Sequence, residues 1–194
     1  MRWIVIDGID GSGKSTYAHW MKEHYESLGE TVLVQIHPSK GFLGSLTRRT
    51  LQGKGKMLRL MASLLFIGDV LTSLRSFRRD RQRYDTIIYV RYLMATAYLP
   101  EKYIQLGYDF FAKILPVPRR LLLVDIDPKV AFRRIEDRNE AKEMFEDIES
   151  LRKIRKKVLK LASKDWTVIE NNVDMDKMPV GLIKIIEDWD AKLP

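Results

Sequence analysis

The chain has 194 residues, with 34 Lys or Arg against 26 Asp or Glu, a formal charge of +8. That length fits one domain with a sizeable core, and a composition 45% hydrophobic and 31% charged excludes disordered, collagen-like and fibrous classes. The chain has no cysteine, which excludes disulfides, thiolate metal sites and a thiol nucleophile. The first apolar run, Trp3 to Ile6, is too short for a signal peptide or a membrane span, so the cytoplasm is the expected location and no membrane association is expected. A basic balance points to anionic partners, but the charge by itself does not choose among nucleotides, nucleic acid and acidic membranes.

Short apolar runs alternate with longer stretches of helical period, the pattern of crossover units around a mostly parallel sheet. The first strand is expected at Arg2 to Asp7, followed by a glycine-rich turn and a helix from about Lys14 to Leu28, which Gly29 stops. A second strand, Thr31 to Ile36, ends at His37-Pro38. Helices follow at about Leu43 to Gln52 and Met57 to Arg83, separated by a hinge at Gly53-Lys54-Gly55. Thr86 to Val90 reads as the third strand, and the pattern from Arg91 is helical up to Pro100, then again from Glu101 to Leu115. The fourth strand, Arg120 to Ile126, leads into Asp127-Pro128, a capping aspartate before a first-turn proline, and a helix to about Asp137. The polar stretch 137–147 has little periodicity and reads as a connection that closes over a ligand. A helix from Ile148 to Ser163, a fifth strand from Trp166 to Glu170 and a last helix around Pro179 to Lys192 complete a single domain spanning 1–194.

Gly8-Ile9-Asp10-Gly11-Ser12-Gly13-Lys14-Ser15 matches the eight-position phosphate-loop pattern between a strand and a helix, the context it requires. Glycines let successive amides turn inward toward phosphate oxygens, and the following helix adds its positive end. Lys14 supplies charge to the β- and γ-phosphates, and the Ser15 hydroxyl suits a Mg2+ shell otherwise made of water and phosphate. ATP and Mg2+ are therefore the expected ligands, held by Gly8, Asp10, Gly11, Ser12, Gly13, Lys14, Ser15 and Thr16, with Ser15 on the metal.

From this loop onward the chain resembles the thymidylate kinase family of nucleoside monophosphate kinases. Beyond GIDGSGKST, the resemblance is carried by Leu43-Gly44 with Arg48, by Leu64-Leu65-Phe66 with Asp69, by Arg91-Tyr92, and by Asp125-Ile126-Asp127-Pro128 followed by Arg134-Ile135, Arg138 and Glu143 to Glu146, in a form similar to archaeal members. It implies an α/β three-layer P-loop nucleotide-kinase fold with a five-stranded parallel sheet, a lid at about 137–147, usually a homodimer, and transfer of the γ-phosphoryl group of ATP to a nucleoside monophosphate such as dTMP. By the same resemblance Lys14, Arg91 and Arg138 are the catalytic candidates, with Arg134 and Lys142 in or beside the lid. Asp10, Arg48, Phe66, Arg91 and Tyr92 are the acceptor-binding candidates. Guanidinium matches phosphate bidentately, which favours Arg91 and Arg48 as clamps.

Two positions depart from the family pattern. Val90 stands where the family has an acid that can orient Mg2+, leaving Ser15, the phosphates and Asp7 or Asp10 for the metal. Val70 stands where the family commonly has an arginine that helps recognise thymine, which weakens base selectivity. Asp125 completes an apparent Walker B run but reads as structural. A second reading of the chain is an ATP-binding switch or nucleic-acid-associated protein, supported by Val90, by the arginines between Arg75 and Arg83, and by the Arg152 to Lys160 cluster. A third is a kinase of nucleosides or other small molecules, which needs a carboxylate that Ile36-His37-Pro38 does not supply. His19 and His24 read as exposed, and His37 is the one histidine near the acceptor loop.

Overall fold

A computed structural model describes residues 1–53, 55–99, 101–138, 146–173 and 176–192. Five parallel strands form one sheet in the order β2-β3-β1-β4-β5: β1 Arg2–Asp7, β2 Val32–Ile36, β3 Thr86–Val90, β4 Arg120–Asp125 and β5 Thr167–Glu170. Every residue of β3 and β4 is buried, because helices cover both faces and the strands are apolar on both. The helices are α1 Lys14–Ser27, α2 Phe42–Leu51, α3 Lys56–Asp80, α4 Ile104–Ile114, α5 Pro128–Asp137, α6 Ile148–Ala162 and α7 Val180–Lys192.

Two cores sandwich the sheet. On one side Tyr17, Met21 and Tyr25 of α1 and Leu182, Ile186 and Trp189 of α7 pack on Ile4, Ile6 and Val124. On the other, Val70 of α3, Ala131 and Ile135 of α5, and Leu151, Ile154 and Val158 of α6 pack on Val5, Tyr89 and Leu123. The apolar stripe expected in α6 is the buried face of that helix. Asp127 accepts the Lys129 amide with Pro128 in the first turn, the expected start of α5, and Asp147 accepts the Ser150 amide to start α6.

The expected helix after Arg91 is instead a 3₁₀ stretch, Met94–Tyr98, with a second short one at Glu101–Tyr103 before α4. The cause lies across the sheet: the Tyr92 and Met94 amides both donate to the Asp7 carboxylate, at 2.9 and 3.1 Å, instead of entering an α-helical ladder. The expected lid at 137–147 falls mostly on 139–145, with Lys142 and Glu143, outside the described residues, as does Lys54 of the expected hinge.

Candidate active site

The phosphate loop joins β1 to α1 with Gly8, Gly11 and Gly13 all at positive φ, 153°, 76° and 86°. Only glycine fits at Gly11, since a Cβ there would stand 2.6 Å from the Ala131 carbonyl of α5. The loop is held from behind as well: the Asn171 side chain, buried just past β5, donates to the Ser12 carbonyl at 2.8 Å. The Ser12 hydroxyl is buried without a partner among the described residues, while Ser15 and Thr16 stand exposed at the first turn of α1.

Sequence neighbours and distant residues meet in one charged cluster. Lys14 is buried, donates to the Ile9 carbonyl at 2.6 Å and lies 3.9 Å from Asp10. Arg91 donates to one oxygen of Asp10, and the buried Tyr98 hydroxyl donates to the other at 2.9 Å. Burial alone would raise the Asp10 pKa, but Arg91, Lys14 and the Tyr98 hydroxyl hold it below the ordinary value. Burial and the Arg91 charge lower Lys14 to about 8, against the opposing pull of Asp10 and Asp7. Asp7, at the end of β1, has its pKa raised by burial despite its two amide donors. Arg138 at the end of α5 donates to the buried Glu146 at 2.7 Å, and its charge is felt at both Asp10 and Lys14. Arg134 reaches the Val173 carbonyl at 3.2 Å on the same side of the loop.

Val90 lies with Ile6, Tyr17 and Val124 in the core beneath α1, so it offers the loop no ligand. Among the described residues no group of three acidic or histidine side chains forms a metal site. The donors that fit Mg2+ are the exposed Ser15 hydroxyl and, at the end of β1 and within the loop, the Asp7 and Asp10 carboxylates, which suits an ion that keeps most of its shell as water and phosphate oxygen.

A cleft of about 1030 Å³, its open mouth included, runs from Asp7, Asp10 and Arg91 outward between α3 and the Met94–Tyr98 stretch. Its α3 wall is Ala62, Phe66, Ile67, Val70 and Leu71, apolar apart from Ser63. Phe66, half-buried, therefore belongs both to the cleft and to the core edge. Tyr92 lines the cleft too, but it is buried and its hydroxyl donates to the Pro116 carbonyl at 3.0 Å, a supporting pillar more than an open contact. Arg48 does not line the cleft; it donates to the carbonyl of Pro38, which does, at 2.6 Å.

Asn171 and Tyr98 escaped the sequence reading, since neither belongs to a motif and both act from elements whose packing brings them to the loop. His37 is fully buried rather than open to the cleft. His19 is exposed and pairs with Glu23, whereas His24, expected exposed, is half-covered against Tyr25. Asp125 takes two bonds from Arg155, at 2.8 and 2.7 Å, which fits its structural reading. Arg75, Arg78, Arg79, Arg81 and Arg83 are exposed at and beyond the end of α3, away from the cleft lining.

The chain matches the family model described as "Thymidylate kinase" over residues 6–177. It is 32% identical over 192 residues to a probable thymidylate kinase of Saccharolobus solfataricus, covering 95% of this chain and 96% of that one. It is 28% identical over 193 residues to a thymidylate kinase of Leptospira interrogans, covering 94% and 92%. In fold it is similar to a solved thymidylate kinase of Candida albicans, with a TM-score of 0.71 at 18% identity over 98% of this chain and 91% of the other. No helix among the described residues is long and apolar enough to cross a membrane.

Proposed function

This chain belongs to the thymidylate kinase family, and we propose that the cleft between the phosphate loop and α3 is where its acceptor nucleotide sits. The enzyme is a nucleoside monophosphate kinase that transfers the γ-phosphoryl group of ATP to thymidylate. The observation that carries the assignment of the site is the convergence of Lys14, Asp10 and Arg91 at the charged end of an otherwise apolar cleft.

Phosphoryl transfer needs two anions aligned, their charge neutralised and water excluded. The loop amides and the first turn of α1 receive the triphosphate, and Lys14 lies in the loop to take the β- and γ-oxygens. Mg2+, when bound, neutralises charge across the phosphates; Ser15 would hold it, with Asp7 or Asp10 orienting its waters. Arg91 stands between loop and cleft, where it can bridge the transferring group and the acceptor phosphate. Asp10 fixes the guanidinium plane of Arg91 and offers a carboxylate toward the sugar end of the acceptor. Arg138, arriving from α5, supplies a second cation to the same region. The base lies along Phe66 and Val70. Arg48 acts at one remove, holding the Pro38 carbonyl at the cleft margin.

The test is direct: purified protein is given ATP, Mg2+ and each nucleoside monophosphate in turn, and ADP is measured. ADP formation should require an acceptor, with thymidylate among the substrates, and Arg91→Ala should lower kcat by about 10³-fold or more. ADP formation indifferent to every acceptor would remove the kinase reading and favour an ATP-binding switch.

A further inference from the structure

We infer that His37 is a positioning residue, holding Arg91 in its working conformation through the Arg91 backbone; this rests on the role proposed above for Arg91. Among the described residues Arg91 is the one non-glycine residue in the left-handed region, with φ 62°. An L residue stays there only where its surroundings hold it. Two hydrogen bonds do so. The Arg91 amide donates to the Ile6 carbonyl at 3.0 Å, and the Arg91 carbonyl accepts from His37 Nδ1 at 3.1 Å. The His37 amide in turn donates to the Val90 carbonyl at 3.0 Å, so the residue before Arg91 is fixed as well.

The imidazole has no freedom to leave. It is fully buried, edge-on to Tyr89 and Phe66 at 5.5 and 6.2 Å between ring centres, and its Nε2 lies 2.9 Å from Ser73 Oγ on α3. A carbonyl can only accept, so Nδ1 carries the proton, and a neutral ring then accepts the one Ser73 hydroxyl proton at Nε2, in competition with the Asp69 carbonyl 3.2 Å from the same oxygen. Burial lowers the His37 pKa in spite of Asp69 nearby, which favours the neutral ring. The ring is thus a strut from α3 to the turn that aims Arg91 at Asp10. Phenylalanine would fill the same space and keep the same edge contacts, yet it could hold neither the turn nor Ser73. A ring present only to fill the core would tolerate that exchange.

The experiment compares His37→Phe with His37→Asn, whose side-chain amide stands near the Nδ1 position, by crystal structure, by kcat and acceptor KM, and by calorimetric affinity and stoichiometry for ATP. In His37→Phe the Arg91 turn should leave the left-handed region, and kcat should fall about tenfold or more while ATP binds with unchanged stoichiometry and an affinity within about twofold. His37→Asn should restore both the turn and most of kcat. A His37→Phe protein that keeps the turn and the wild-type kcat overturns the inference, as does a His37→Asn protein impaired to the same degree. If His37→Phe does not fold, His37→Gln replaces it, because its amide reaches toward Nε2 and not Nδ1; a wild-type kcat there is equally fatal. Should the wild-type protein phosphorylate no monophosphate, the proposed function fails on its own, and the Arg91 turn in the variant crystals still decides the role of His37.

Discussion

The charge state of Lys14 makes the first step of the reaction sensitive to pH. In the free protein burial and the Arg91 charge bring its pKa down to about 8, so above that value the loop has an uncharged amine. A bound triphosphate favours the ammonium form and raises the pKa, so binding takes up a proton wherever the free amine is neutral. ATP affinity should be flat below about pH 8 and weaken by up to about tenfold for each unit above it. Calorimetry at pH 8 in buffers of different ionisation enthalpy should register uptake of about half a proton per ATP; no uptake there would mean that Lys14 remains charged without ligand. A second residue-scale expectation concerns base selectivity. Val70 is buried in the cleft wall, and the hydroxyls of Thr47 and Thr96 are already spent on the carbonyls of Leu43 and Leu93. A wall of this kind reads shape and gives up little when the wrong base enters. The thymine methyl then contributes about 0.8 kcal/mol, so kcat/KM for dTMP should exceed that for dUMP by about fourfold. A preference above about a hundredfold would require a base-reading hydrogen bond, for which Ser63 is the one polar side chain of the α3 wall among the described residues.

At the scale of elements, the phosphate loop is secured by parts of the chain far from it in sequence. α5 closes against Gly11, and the end of β5 brings Asn171 to the Ser12 carbonyl, while the Asn171 amide bonds to the Asp125 carbonyl at 2.8 Å and so ties β5 to β4. Asn171→Ala should therefore weaken ATP by about tenfold, roughly 1.4 kcal/mol, by leaving that carbonyl buried without its donor. The loss should appear in affinity more than in thermal stability, and an unchanged affinity would show the loop to be rigid by itself. This same distinction explains what could be read beforehand. The phosphate loop, the five strands and the start of α5 are written in local signals: spacing, period and capping residues. The turn after β3 is not, because its geometry comes from Asp7 collecting the Tyr92 and Met94 amides across the sheet. Tyr98 and Asn171 were invisible for a like reason, and Arg48 was visible as a motif residue, but its guanidinium bonds the Pro38 carbonyl, a partner that no motif names. Local periodicity reports which face of an element is apolar; it carries no record of which distant backbone that element will touch.

At the scale of the whole molecule, α3 is apolar on two opposite faces. Ala62, Phe66 and Val70 recur at helical spacing along the wall of the cleft. Met57, Met61 and Leu64 recur along the other side and are exposed, Leu64 by 60%, as is Phe42 of α2, by 81%. An exposed apolar strip of this kind on a folded surface marks an association site. We propose a second copy of the chain as its occupant, consistent with the homodimer that the family resemblance implies. Light scattering on a sizing column should then give about twice 22.7 kDa, and Leu64→Glu should return the protein to a single chain by placing a charge on the strip. Because the strip and the cleft wall are two sides of one helix, the monomeric variant should lose acceptor affinity, raising KM several-fold through looser placement of Phe66 and Val70. ATP affinity should stay as it was, since the phosphate loop is braced by α5 and β5 and not by α3. A Leu64→Glu protein that is monomeric and kinetically normal would show that the two faces of α3 are independent, and a wild-type protein that is already monomeric would leave the strip without the partner assigned to it.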